Sequence, residues 1–135
     1  MTLQPLPTEI VMLGLGAVLL LLQLFLQSVS ATLELGAAYK AGPRDDQREL
    51  RGVFAGRAER AFRNLLETFP LFAALALALV VTGRNGGLGA FAAEIWIVAR
   101  VIYVALYFIQ IPFARSLVWF VSIFALVAML VRLFQ

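Results

Sequence analysis

A row of ionisable and polar residues interrupts the second long apolar stretch of this sequence. The row consists of Arg60, Asn64 and Glu67, whose spacing of four and then three residues places them on one face of a helix. An apolar run follows Glu67 directly, so this carboxylate is predicted to lie well inside a membrane. An unpaired charge at such a depth costs at least ~2.5 kcal/mol, and charged residues within spanning helices therefore indicate a functional site.

The third apolar stretch carries a second row. Arg100, Tyr103 and Tyr107 share a helical face at spacings of three and four residues. Counted from the nearer ends of their helices, Glu67 and Arg100 both lie roughly 16 Å deep. We therefore predict that Glu67 and Arg100 form an ion pair inside the protein.

Together with their neighbours, these residues supply more hydrogen-bond donors than one carboxylate needs, which favours a site for an anionic or multiply polar ligand. The donors, all expected in the same half of the membrane, are Arg57, Arg60, Arg63, Asn64, Tyr103, Tyr107, Arg115 and Ser116. Two simpler interpretations stay open. The Glu67–Arg100 pair could serve only to hold the helices in register. The three arginines of the second helix could instead bind lipid phosphates at the membrane interface.

Four apolar stretches are long enough to cross a membrane and would position these residues. The sequence predicts helices over about 10–35, 56–82, 88–111 and 113–134, in one domain spanning 1–135. Continuous apolar runs favour helices over strands, and short connections after the second and third helices favour an antiparallel bundle. The polar stretch from Gly36 to Gly56 is predicted to be an extramembrane loop. The expected fold class is therefore all-α, a transmembrane four-helix bundle.

The composition agrees with a membrane protein and excludes several kinds of chemistry. Hydrophobic residues make up 62% and charged residues 14%, against about half and a quarter in soluble domains. The sequence contains no cysteine and no histidine. This excludes zinc or haem sites built on those residues, a histidine base and a thiol nucleophile of the protein itself. No metal site is predicted, and any chemistry must use other side chains or groups of a bound ligand.

The orientation in the membrane follows from the distribution of lysine and arginine, because cytoplasmic loops carry more of both. Eight of these residues lie on the side of the first loop, and only Arg84 and Arg132 lie on the other side. We therefore predict that the first loop is cytoplasmic and that both termini face the opposite side.

The pattern of the second helix resembles that of a known family. Arg60-Ala61-x-x-Asn64-x-x-Glu67-x-x-Pro70 is similar to the signature of the MAPEG family, the membrane-associated proteins in eicosanoid and glutathione metabolism. That family includes microsomal glutathione transferases, leukotriene synthase and the microsomal prostaglandin E synthase. The resemblance implies a membrane protein whose chemistry depends on glutathione.

The later helices extend this resemblance. Arg100-x-x-Tyr103-x-x-x-Tyr107, followed by Arg115-Ser116, resembles the pattern of the third and fourth helices of the family. Helix number, loop order and chain length also fit, so the resemblance covers nearly the whole chain. The motifs together are specific for the family, although not for one activity within it.

The resemblance implies a homotrimer of four-helix protomers that binds glutathione between neighbouring subunits, in the cytoplasmic half of the membrane. It implies that Arg115 is catalytic and lies beside the glutathione thiol, with Ser116 as a hydrogen-bond partner. Arg100 would support Glu67, and Arg57 and Arg63 are assigned supporting positions as well. The residues that would contact glutathione are Arg60, Asn64, Glu67, Tyr103 and Tyr107.

The expected function is that of a glutathione-dependent transferase or peroxidase acting on lipophilic small molecules that arrive from the bilayer. A guanidinium lowers the pKa of a neighbouring thiol, so Arg115 would favour the reactive thiolate. Phe62 and Thr68 differ from residues found in characterised relatives. The end of the first helix also lacks the arginine of eicosanoid-forming relatives, and Lys40 is the nearest cation. These differences favour a bacterial-type member in the inner membrane. Two alternatives remain: a non-catalytic protein that binds a lipid head group or another anion in the same pocket, and a purely structural membrane protein. No nucleic-acid partner is predicted.

Overall fold

Four long α-helices and one short helix form the described part of the chain. The computed structural model describes residues 4–135, so the first three residues of the expected domain lie outside the described part. The helices are α1 (Thr8–Leu35), α2 (Ala37–Ala41), α3 (Val53–Val81), α4 (Gly87–Ile109) and α5 (Pro112–Phe134). The described residues contain no strand, and the predicted all-α class is confirmed.

Each long helix is able to cross a membrane. The four helices contain between 23 and 29 residues, with mean hydropathies of 1.8 to 2.5 over their most apolar windows. That length is sufficient for a hydrocarbon core of ~30 Å. Large apolar side chains such as Leu21, Phe25 and Phe124 are exposed on the outside of the single chain, where lipid tails would solvate them. The protein is therefore an integral membrane protein built as a four-helix bundle.

The segment between α1 and α3 differs from the predicted loop. It contains the short helix α2, and α3 begins at Val53, before the expected start at Gly56. Alanine has the highest helix propensity, which explains a turn of helix over Ala37–Ala41. Gly36 separates this turn from α1 because its φ of 91° suits a glycine but strains other residues.

The apolar core lies in the half of the bundle away from the first loop. Its centre is Phe72 of α3 stacked on Trp96 of α4, with ring centroids 3.9 Å apart and an angle of 6° between the planes. Gly16 brings α1 close to this core. A Cβ at Gly16 would lie only 3.0 Å from Phe69 and 3.3 Å from Ile97. This dense packing leaves the other half of the bundle for polar groups.

Two glutamates tie helix ends together across long separations in the chain. Oε1 of Glu34, near the end of α1, accepts hydrogen bonds from the backbone N–H groups of Arg51 and of Gly52, the latter at 2.8 Å. At the opposite end, Glu9 is fully buried, and its Oε1 accepts the backbone N–H of Gly86 at 2.7 Å. The first contact fixes the start of α3 and the second fixes the turn before α4. The sequence alone assigns a role to neither glutamate.

Candidate functional site

A tight turn between α4 and α5 brings two of the predicted site residues together. α4 ends at Ile109 because Gln110 adopts a left-handed conformation with φ 66°. Pro112 begins α5, where its missing N–H costs no helical hydrogen bond. Tyr107 in the last turn of α4 and Arg115 in the first turn of α5 therefore face each other across a short connection.

Tyr107 is the point where three helices meet in the polar half. Its hydroxyl accepts a hydrogen bond from Nε of Arg60 in α3, at 3.0 Å. The guanidinium carbon of Arg115 lies over the ring of Tyr107, 4.6 Å from the centroid. The guanidinium carbon of Arg60 lies 6.0 Å from the same centroid. Two cations from different helices thus share one aromatic ring.

Within residues 4–135, neither Arg60 nor Arg115 forms an ion pair with an acidic residue. Like charges repel each other, and the face of the Tyr107 ring offsets only part of that repulsion. An anion held between the two guanidinium groups would be stabilised by both. The cluster of Arg60, Tyr107 and Arg115 is therefore suited to bind a thiolate or another small anion.

Arg100 forms a second group with Asn64 and Tyr103, deeper in the bundle. Its side chain is buried, with 1% of the residue exposed. Nη2 of Arg100 donates a hydrogen bond to Oδ1 of Asn64 at 2.8 Å, and the guanidinium carbon lies 4.7 Å from the centroid of the Tyr103 ring. Tyr103 links this group to the first one, because its ring centroid lies 5.8 Å from that of Tyr107.

The predicted direct ion pair between Glu67 and Arg100 is wrong for the single chain. Among the described residues, Arg100 has no carboxylate oxygen within ion-pair distance, and its hydrogen bond goes to Asn64 instead. Glu67 lies three positions after Asn64, so their side chains point about 60° apart around the helix axis. Asn64 faces the interior, whereas Glu67 is exposed on the outside of α3. Equal depth in the membrane was therefore insufficient to identify the partner of Arg100.

Arg57 and Ser116 make contacts that anchor helix ends. Nη1 of Arg57 donates a hydrogen bond to the carbonyl oxygen of Phe108 at 3.0 Å, which joins the start of α3 to the end of α4. Oγ of Ser116 donates to the carbonyl oxygen of Pro112 at 3.2 Å, within its own helix. Phe108 contributes through its backbone, and no feature of the sequence marks such a contact.

Arg63 lies apart from the cluster around Tyr107. The hydrogen bond of its side chain is to Oε1 of Glu59, at 3.5 Å, and it lines a groove shared with α1 and the first loop. Of the predicted site residues, the structure therefore groups Arg60, Tyr107 and Arg115, and separately Asn64, Arg100 and Tyr103. In the single chain, the other predicted site residues belong to neither group: Arg57, Arg63, Glu67 and Ser116.

Comparison with known families agrees with the residue patterns described above. The model of the MAPEG family matches residues 12–135, which include most of α1, the whole of the other three spanning helices and both polar groups. No curated protein and no solved structure matches the chain. A match over nearly the whole chain shows that this protein belongs to the MAPEG family.

Proposed function

We propose that this protein binds glutathione and activates its thiol for attack on lipophilic electrophiles or peroxides. The observation that carries the proposal is the convergence of Arg60 and Arg115 on Tyr107, where the described residues supply no acidic partner for either cation. Membership of a family that includes glutathione transferases supports the same function. The cluster would stabilise two anionic groups of one glutathione molecule, the thiolate at Arg115 and a carboxylate at Arg60.

The activation step needs no histidine. A free thiol titrates near pH 8.5, so only a few per cent is thiolate at neutral pH. The guanidinium of Arg115 lowers the pKa of a thiol beside it by stabilising the anionic sulfur. The hydroxyl of Ser116, which follows Arg115 at the start of α5, adds a second donor once it turns from the carbonyl of Pro112.

Two reactions are open to the thiolate. In conjugation, the sulfur forms a bond to an electrophilic carbon, and the leaving group departs with the bonding electrons. With a peroxide, the sulfur attacks one oxygen, the O–O bond breaks, and the other oxygen leaves as an alcohol after protonation. A second glutathione then forms the disulfide and releases water, so the peroxide is reduced and two thiols are oxidised.

The remaining polar residues hold the peptide part of glutathione. Arg60 and Tyr107 provide a cation and a hydroxyl for a glutathione carboxylate. The side-chain amide of Asn64 offers hydrogen bonds to the peptide groups of glutathione, and the carboxylate of Glu67 complements the α-ammonium group of glutathione. Arg100 positions Asn64 through the hydrogen bond of 2.8 Å. Lipophilic substrates reach the sulfur from the bilayer, whereas glutathione comes from the side of the first loop, which the distribution of arginines predicts to be cytoplasmic.

The exposed face of α3 supports a homotrimer with glutathione sites between its subunits. Glu67 is exposed on this face together with Leu71, Ala74 and Leu77. A carboxylate facing acyl chains costs at least ~2.5 kcal/mol. A neighbouring copy that covers this face removes that cost and brings Glu67 into a closed polar site.

Titration of the purified protein with glutathione in detergent, followed by thiolate absorbance, tests the proposal. We expect a saturable thiolate signal and a stabilisation of about 2.7 kcal/mol at a hundredfold excess over Kd. Arg115→Ala abolishes the thiolate signal, whereas Arg84→Ala, which removes an exposed arginine at the opposite end, preserves it. Binding without turnover of an aryl halide would favour the non-catalytic alternative. Absence of both binding and stabilisation would rule out glutathione.

A further inference from the structure

A polar groove separate from the Tyr107 cluster lies between α1, the first loop and α3. Its volume is about 480 Å³. Gln27 and Ala31 line it below the end of α1, and Lys40 and Arg44 line it on the side of the loop. The groove shares no lining residue with the cluster of Arg60, Tyr107 and Arg115. A ligand bound there would occupy a second site.

The groove contains more positive than negative charge. Two carboxylates line it, from Glu49 and Glu59, together with four cationic side chains: Lys40, Arg44, Arg48 and Arg63. Asp46, which lies beside the groove and pairs with Arg48, offsets one more of these cations. The remaining excess of one positive charge indicates an anionic ligand with several acceptor oxygens.

The four cations differ in how far the protein itself satisfies them. Arg48 donates from Nε to Asp46 at 2.8 Å, and Arg63 lies 3.5 Å from Glu59. In contrast, the side chains of Lys40 and Arg44 form no hydrogen bond or ion pair within residues 4–135. These two cations are therefore the groups that a bound anion would contact.

The loop that carries these cations is held in a defined shape. The backbone N–H of Arg48 donates to the hydroxyl of Tyr39 at 2.6 Å, and the Arg48 guanidinium carbon lies 4.6 Å from the centroid of the Tyr39 ring. Arg44 has a φ of 60°, a left-handed conformation that a residue with a Cβ adopts at a cost of about 1 kcal/mol or more. The contact between Tyr39 and Arg48 closes the loop over the groove and keeps Arg44 at its edge.

We propose that this groove binds a phosphate group, with Lys40 and Arg44 as its principal contacts. An ammonium and a guanidinium without protein partners offer several charge-assisted hydrogen bonds to phosphate oxygens. The groove lies where α1 leaves the membrane, which is the level of phospholipid phosphates on the side of the first loop. The phosphate belongs either to an anionic phospholipid or to a soluble phosphate ester that approaches from the same side.

Thermal unfolding of the full chain in neutral detergent tests this site with two probes, inorganic phosphate and short-chain phosphatidylglycerol. We expect a saturable rise in Tm with at least one probe. In the Lys40→Ala/Arg44→Ala variant the apparent affinity for that probe falls by roughly tenfold or more. The variant Arg51→Ala/Arg84→Ala removes the same charge outside the groove and responds like the wild type.

The two probes distinguish the sources of the phosphate. A response to the lipid alone identifies a phospholipid, and a response to inorganic phosphate identifies a soluble ester. The groove variant should retain its glutathione titration, so the result is independent of the function proposed for the Tyr107 cluster. Absence of any response, or equal responses in the wild type and the groove variant, would overturn the proposal.

Discussion

Asn64 and Arg100 are joined by a hydrogen bond of 2.8 Å from Nη2 to Oδ1, which links α3 to α4 inside the membrane-spanning bundle. An amide oxygen orients the guanidinium but does not neutralise it. Nε and Nη1 of Arg100 are buried and have no partner among the described residues. Arg100 therefore brings a cation with two unsatisfied donors into the interior of the bundle.

The first prediction concerns this bond. Asn64→Ala leaves the buried guanidinium without its acceptor and should lower the free energy of unfolding by about 2 kcal/mol. Unfolding by SDS, followed by tryptophan fluorescence, measures the change. Thr68→Ala is the matched control, because Thr68 bonds only to the carbonyl of Leu65 in its own helix. Equal stabilities of the two variants would contradict the role of Asn64.

Substitutions of Tyr107 should separate its two contacts. Tyr107→Phe keeps the ring beneath Arg115 but removes the hydroxyl that accepts from Arg60. Loss of one such hydrogen bond should weaken glutathione binding about fivefold. Tyr107→Leu removes both contacts and should weaken binding further and reduce the thiolate signal. If the titrations of the Phe and Leu variants coincide, the ring has no part in positioning Arg115.

Two glycines of α1 should respond oppositely to alanine. Gly16→Ala places a Cβ 3.0 Å from Phe69 and 3.3 Å from Ile97, and such overpacking should destabilise the bundle by about 1 to 3 kcal/mol. Apart from the adjacent backbone of α1 itself, a Cβ added at Gly14 would lie in open space. Gly14→Ala should therefore be neutral or stabilising by up to about 1 kcal/mol, because alanine favours the helix. SDS unfolding of both variants checks the difference in sign.

Glu34 should protect the start of α3. Glu34→Ala leaves the backbone N–H groups of Arg51 and Gly52 without their acceptor, so this segment should open more often. Limited trypsin digestion, with cleavage after Arg51 followed by mass spectrometry, should be faster in this variant. Asp45→Ala removes another acidic residue near this segment and should leave the rate unchanged. Equal rates would show that Glu34 does not hold the loop.

The exposed face of α3 should mediate assembly. Ala74 is exposed on the same face as Glu67, so Ala74→Trp adds a bulky ring where a neighbouring copy would pack. If the proposed trimer forms through this face, this variant should be smaller than the wild type in detergent, as measured by light scattering. Ala105→Trp, on an exposed position of α4, should keep the size of the wild type. A trimer that persists in Ala74→Trp would place the interface elsewhere.

The four spanning helices were predictable because long apolar runs have few stable alternatives in a membrane. The convergence of Arg60 and Arg115 near Tyr107 could also be anticipated, since short connections bring the corresponding helix ends together. The partner of Arg100 could not be identified in this way. The position of a residue in the sequence gives its depth along a helix. It does not give the rotation of α3 about its own axis, which determines whether Asn64 or Glu67 faces Arg100.

Contacts that join distant parts of the chain were equally beyond prediction. The hydrogen bonds that Glu9 accepts from Gly86 and Glu34 accepts from Gly52 depend on how the helices pack, and neither glutamate lies in a recognisable motif. The short helix α2 is different, because alanines between Gly36 and Gly42 are a signal that the sequence contains. That turn of helix was missed because the surrounding charges favour a loop.

The stacked rings of Phe72 and Trp96 separate the polar half of the bundle, which contains Arg100, from the apolar half. Both side chains are completely buried, and aliphatic residues from α3, α4 and α5 surround them. An ion that reached Arg100 from the first loop would meet hydrocarbon beyond it rather than an exit. The bundle is therefore expected to catalyse or bind at one membrane face without dissipating the ion gradients across it, and planar-bilayer recordings should detect no conductance.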